Sequence, residues 1–256
     1  MRRDVQAIIL LLIGGATLRI TLGDVYLNYV KEVMRPFLIL AGALLVLFGI
    51  LALVDVLRSS RVPAAQVEAD AELEDELDGH LHAEGESGHA HDHSHGPRAA
   101  WLLLLPVLAI FLIAPPALGA FSAARETTNA IPDVSQAQAP PLPPGDPVPV
   151  RVSDYIGRAV WDDGLTLIGR TVEMTGFVTP DPEGGWWLSR MSMACCAADA
   201  FASRIKAVDA PDLPANTWVT ITGTWTPGGG TQSADAIPLV VVESLVEVPQ
   251  PRNPYE

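Results

Sequence analysis

The sequence predicts a membrane-anchored α+β protein: three transmembrane helices followed by a small OB-like β-barrel domain. Three observations carry this. The 256-residue chain is 49% hydrophobic but only 18% charged, against about 25% charge in an ordinary soluble domain. Its first half gathers apolar residues into three long blocks that lack a polar helical face. Its last third instead alternates apolar and polar residues in short runs separated by Pro- and Gly-rich turns, as half-buried strands do.

The blocks are Val5–Gly23, Pro36–Leu57 and Ala99–Phe121. Each has roughly the 20 residues that an α-helix needs to cross the hydrocarbon core. The first two form a segment 1–57 with a short connection. Arg2 and Arg3 precede the first block in the manner of a signal peptide, but no small-x-small cleavage site follows, so it reads as a retained span. Arg19 lies close enough to the end of that span to reach the headgroups. Pro106, Pro115 and Pro116 kink or end the third. Tyr26, Tyr29 and Trp101 fall where interfacial aromatics are expected. Arg2, Arg3, Arg58, Arg61 and Arg98 lie on one side of a three-span chain, and Lys31, Arg35 and Arg125 on the other. That bias puts the N-terminus inside and the C-terminal domain outside the cytoplasm of a multi-pass cell-membrane protein.

Between the second and third blocks, residues 58–98 carry 10 acidic residues against 3 arginines. With almost no aromatic or branched residues, this loop is expected to be disordered. It holds all 6 histidines. His80 and His82 form one H-x-H pair, and His89, His91, His93 and His95 alternate. In an extended chain such residues project to one side. Neutral imidazoles suit Zn²⁺ or another transition metal, with Asp92 as an additional oxygen donor.

Residues 122–150 contain 7 prolines and read as a stiff linker. The OB-like β domain is then expected over 151–249, with a tail at 250–256. A short helix is placed at Asp154–Trp161 and strands at Thr171–Thr179, Trp186–Cys196, Phe201–Val208, Thr217–Trp225 and Leu239–Val248. Inward faces are assigned to Val172, Met174 and Val178, to Val219, Ile221 and Trp225, and to Val240, Val242, Val246 and Val248, with a bulge at Gly176. Trp161, Trp186, Trp187, Trp218 and Trp225 are expected in the core. A small closed barrel satisfies five strands in about 100 residues. Nucleic acid is excluded as a partner, because the chain has a net charge of −14 and 16 acidic residues stand against 8 basic ones from Ala124 onward.

The most pointed chemistry is Met193-Ala194-Cys195-Cys196-Ala197-Ala198-Asp199. Strand alternation would turn Cys195 inward, on the parity of Trp187, Met191 and Met193, and Cys196 outward. Neither a disulfide framework nor a C-x-x-C redox motif is present. Two thiolates, with Asp199 or the Met193 thioether as an additional ligand, favour a soft metal, and the alternative is plain packing of two small side chains. Enzymatic use of Cys196 is not expected, since the domain has no histidine to serve as base.

The segments YVKEVMRPFLILAGALLVLFGI, LLPVLAIFLIAPPALGAF, GRTVEMTGFV and RMSMACCAADA resemble the YcgQ-like permease-associated membrane proteins, whose C-terminal part is a domain of unknown function. The resemblance covers nearly the whole chain and is most specific at Cys195, Cys196 and Asp199. It implies an accessory subunit of a two-component transporter, with a polytopic permease as partner and a link to zinc. The expected function is therefore a non-enzymatic permease subunit handling a transition metal. The alternative is a membrane-anchored envelope adaptor whose β domain binds another protein while metal binding by the histidine loop is incidental.

Overall fold

The computed structural model describes residues 3–59, 105, 108, 113, 115–126, 129, 140–230, 233 and 235–256. The histidine tract, most of the third apolar block and the middle of the proline-rich linker lie outside the described residues. The chain divides into two compact units. The first contains the helices α1 (Arg3–Leu22) and α2 (Arg35–Ser59), and the second combines Asp24–Arg35 with the chain from Pro115 onward.

Among the described residues, α1 and α2 are long and apolar enough to cross a membrane. Two such helices are present there rather than the three expected. The two run antiparallel and meet at glycines: a methyl group on Gly14 would come within 2.8 Å of Val46, one on Gly42 within 2.9 Å of Leu18, and one on Gly49 within 2.8 Å of Leu11. Small residues let helix backbones approach closely where lipid offers no hydrophobic drive to association.

The second unit contains a six-stranded sheet built from β1 (Val148–Pro149), β2 (Thr171–Pro180), β3 (Trp186–Ser192), β4 (Phe201–Val208), β5 (Trp218–Thr226) and β6 (Leu239–Glu247). The order is β1-β2-β3-β4-β6-β5, and β5 pairs back onto β2. The strands β2 to β6 thus form a ring in which each pairs with two others of the five, antiparallel except for the parallel contact of β4 with β6. All five expected strands are present, and β1, a two-residue parallel addition to β2, is new.

The helix α3 (Val152–Trp161) begins two residues earlier than expected. Val152, Tyr155, Ile156, Ala159 and Val160 are buried at i, i+3, i+4, i+7 and i+8, the spacing that puts them on one helical face. This face packs against Val172, Met174, Val178, Leu188, Ile205, Val219, Ile221 and Val240 as the main core. The Glu256 carboxylate accepts the Val152 and Ser153 amide protons at 3.0 and 3.2 Å, satisfying donors that have no partner within the helix. The tail is therefore part of the fold. Tyr255 forms a parallel bridge with Met191.

A second cluster comprises Ala120, Ala123, Phe177, Met191, Met193, Ala202 and Tyr255. It corrects two boundaries. Residues Pro115–Phe121, expected at the end of the third span, belong to the β unit: Ala120–Ala123 forms a helical turn, and the Ala120 amide donates to Asn216 Oδ1 at 2.7 Å. The linker is likewise not a free spacer up to Val150. Leu142 enters the main core, and the Pro140, Pro143 and Gly145 carbonyls accept from Arg158 and Arg170. The Asn129 side-chain amide accepts from the Arg204 amide and donates to the Arg204 and Ala236 carbonyls.

Side-chain facing follows the expected alternation in β5 but changes in β6. Val240 is buried, whereas Val246 is 60% exposed and Leu245 packs on the core. The bulge between Thr222 and Gly223 explains this, since Gly223 pairs with Val242 and Thr222 with Ser244. One extra residue, Glu243, inverts the parity beyond it. No bulge occurs at Gly176, which pairs regularly with Val219. A side chain there would strike the Ser189 carbonyl, 2.6 Å from an added Cβ. Of the tryptophans, Trp186 is fully in the main core and Trp161 and Trp225 pack against it. Trp218 packs against the second cluster, under the guanidinium group of Arg190 at 4.8 Å from the ring centroid, and Trp187 lies under that of Arg204 at 5.0 Å.

Candidate functional site

Strand β3 ends at Ser192, which pairs with Phe201 at the start of β4. Residues 193–200 therefore form the loop of a hairpin, and the vicinal cysteines sit on it rather than in a strand. Met193 turns into the second cluster. Beyond it alternation no longer applies, so Cys195 is exposed and Cys196 half-buried. This reverses the facing expected from the sequence. The parity of Met191 and Met193 also leads to the second cluster and not to the main core.

Asp199 organises the loop. It closes a single 3₁₀ turn, Ala197–Asp199, for which Cys196 is the N-cap residue. Its carboxylate accepts from the amides of Ala194 at 2.8 Å, Cys195 at 2.9 Å and Cys196 at 3.3 Å, and from the Cys195 thiol at 2.8 Å. One ligand atom from each of Cys195, Cys196 and Asp199 lies within 4.8 Å of the others. The three motif residues singled out in the sequence are thus brought together. The six loop histidines, His80, His82, His89, His91, His93 and His95, fall outside the described residues.

The hydrogen bond to Asp199 pushes the Cys195 thiol up from 9.0 to about 11, and the same bond, with the three amides, draws Asp199 down from 3.8 to about 2. Cys195 therefore keeps its proton through neutral pH and is a poor nucleophile. A raised thiol value also means that this proton favours folding below pH 9, an effect lost as pH rises through 11. At pH 8 the shift lowers the thiolate fraction about a hundredfold, while the greater basicity of the remaining thiolate recovers roughly tenfold in reactivity. In a Cys196→Ala background, Asp199→Ala should consequently speed alkylation of Cys195 by iodoacetamide about tenfold at pH 8, as followed by intact mass. Equal rates would show that the carboxylate does not hold the proton.

The connection between α1 and α2 also belongs to this site. Val30 forms an antiparallel bridge with Cys196. The Lys31 amide donates to the Cys195 carbonyl at 3.1 Å, the Ala197 amide to the Tyr29 carbonyl at 2.7 Å, and Lys31 Nζ to the Met193 carbonyl at 3.1 Å. Tyr29, expected as an interfacial aromatic, donates its hydroxyl proton to the Pro115 carbonyl at 2.7 Å, and Tyr26 is 1% exposed. Arg252 grips Asp24 in a bidentate pair at 2.6 and 2.8 Å, which holds the Asp24 carboxyl below its ordinary value. Sequence reasoning missed these contacts. The available signal was length, since Asp24–Arg35 is longer than the two to five residues that join adjacent antiparallel helices.

Three sulfur and oxygen donors on an exposed loop suit a thiophilic d¹⁰ cation such as Zn²⁺ and leave a fourth tetrahedral position open. No curated protein and no solved structure matches this chain. Residues 162–256, which begin just after α3 and include the whole thiol loop and the tail, match the family model for the DUF1980 C-terminal domain.

Proposed function

We propose that the chain is a non-enzymatic, membrane-anchored accessory subunit of a polytopic permease, and that it handles a transition metal of the zinc type. The observation that carries this reading is the gathering of Cys195, Cys196 and Asp199 within 4.8 Å on an exposed loop. A non-enzymatic role is supported by the thiol–carboxylate bond, since Asp199 holds the Cys195 proton in place instead of activating the sulfur. The ring of strand pairings with its parallel β4–β6 contact supports an OB-type barrel as the scaffold.

Chain connectivity supports three spans, and the Lys and Arg bias supports an extracytoplasmic β domain. Asp24–Arg35 packs within the β unit, so the end of α1 and the start of α2 share its side of the bilayer. With α1 and α2 both crossing, a third span before Pro115 is the arrangement that agrees with this placement. The apolar stretch from Ala99 is the segment suited to that crossing. The Lys and Arg bias then assigns the histidine loop to the cytoplasm.

Affinity capture of the full chain from membranes in mild detergent, after growth with added Zn²⁺, tests both halves of the proposal. A stoichiometric polytopic membrane protein and bound zinc, with part of the zinc lost in Cys195→Ser/Cys196→Ser, are expected. Recovery of the chain alone would overturn the permease role. Zinc retention unaffected by the double substitution would overturn the thiol site.

A further inference from the structure

The geometry points to a coupling device: occupancy of the Cys195–Cys196–Asp199 site by a thiophilic divalent cation is read by the Asp24–Arg35 connection between α1 and α2. This rests on the metal-binding reading above and adds a consequence to it.

The Cys195 sulfur lies 2.8 Å from Asp199 Oδ2. A zinc-like cation sits about 2.3 Å from sulfur and 2.0 Å from oxygen, so a tetrahedral angle separates the two donors by about 3.5 Å. Binding must therefore widen the pair by about 0.7 Å. Neither end of the loop offers an easy place for that movement. Ser192 and Phe201 are paired in the sheet, and Met193 is buried in the second cluster. The Cys195 sulfur can turn about its own side-chain bond, but the Asp199 carboxylate also accepts the Ala194, Cys195 and Cys196 amide protons, so a cation that draws on this carboxylate alters the bonds that hold the backbone of residues 194–199.

Those residues are the ones that hold the connection. The Cys195 carbonyl and the Ala197 amide bond to Lys31 and Tyr29, and Cys196 is the bridge partner of Val30. No side chain intervenes between the ligand residues and this short ladder. The first part of the connection is anchored separately, by Arg252 on Asp24 and by the Tyr255 hydroxyl on the Asn28 carbonyl at 2.8 Å. The end that can respond is consequently Tyr29–Met34, and it continues directly into Arg35, the first residue of α2. A change of less than 1 Å at the thiols is thus delivered to the start of an apolar helix, the place where an accessory subunit would signal to a membrane partner.

Hydrogen–deuterium exchange of the full chain in detergent tests the device, with Cd²⁺ as probe. Thiolate-to-cadmium absorption reports occupancy independently of exchange and ignores the histidines. Cd²⁺ is expected to change exchange across Tyr29–Phe37 by about threefold or more. Lys31 has φ −62°, so Lys31→Pro keeps the backbone angle while deleting the amide that bonds Cys195. It should retain the absorption band and lose the change over Glu32–Phe37. A full band with unchanged exchange in the wild-type chain would overturn the coupling and leave the metal site standing. An exchange response that survives Lys31→Pro would overturn the assigned route. Absence of the band would overturn the metal reading itself.

Discussion

Tyr155→Ala is expected to lower the stability of the β unit by about 4 kcal/mol. Tyr155 lies on α3 with 0% exposure, inside the core formed by the strand ring. Truncation removes a large aromatic side chain from a fully buried position, and the cavity left behind adds to the lost burial. Its hydroxyl also donates to the Leu239 carbonyl at 2.6 Å, tying the helix to β6. Tyr155→Phe keeps the ring and strands only that carbonyl, so it should cost about 1–2 kcal/mol. Burial pushes the Tyr155 phenol pKa upward. A raised value means that the neutral phenol's contribution is complete below the ordinary tyrosine pKa of about 10 and is lost as pH rises above it. The wild-type chain should therefore lose stability more steeply above pH 10 than Tyr155→Phe does. Thermal melting of the full chain in detergent across that range checks both claims, and a Tyr155→Ala loss under 1 kcal/mol would contradict the packing account.

Gly223→Ala should cost about 3 kcal/mol, near the upper end for overpacking. An added Cβ would stand 2.2 Å from the Val241 carbonyl oxygen and 3.0 Å from Val240 Cγ2. The first of these is backbone, fixed in the β5–β6 ladder, and cannot rotate away. Relief would require the bulge to open, and with it the register that turns Leu245 inward. Denaturant melts of Gly223→Ala should show a lowered midpoint. A midpoint equal to that of the wild-type chain would mean that the bulge is not tightly packed.

The strands were legible because their alternation is dictated by burial on one side. Val172, Met174, Val219 and Ile221 obey it and are all buried. Alternation failed where a local event changed the count. The extra residue Glu243 inverted β6, and the end of β3 at Ser192 released Cys195 from any strand facing. Phe177 and Met191 show a different limit. Both are buried on the outer side of their strands, because Ala120, Ala123 and Tyr255 cover them, and these covering residues come from distant parts of the chain. The three site residues could be named from sequence because they lie within five positions. Their link to Tyr29, Val30 and Lys31 spans more than 160 positions and leaves no local pattern to read.

Cadmium titration of the purified full chain tests whether Cys195, Cys196 and Asp199 bind a cation as one site. Thiolate-to-cadmium charge transfer appears only where cadmium meets deprotonated sulfur, so the histidines contribute nothing to it. The arrangement of Cys195, Cys196 and Asp199 predicts a band that saturates at one cadmium per chain. It should weaken at least tenfold in apparent affinity in Asp199→Ala and vanish in Cys195→Ser/Cys196→Ser. No band at neutral pH, or a band that saturates only at one cadmium shared between several chains, would contradict a site assembled within a single loop.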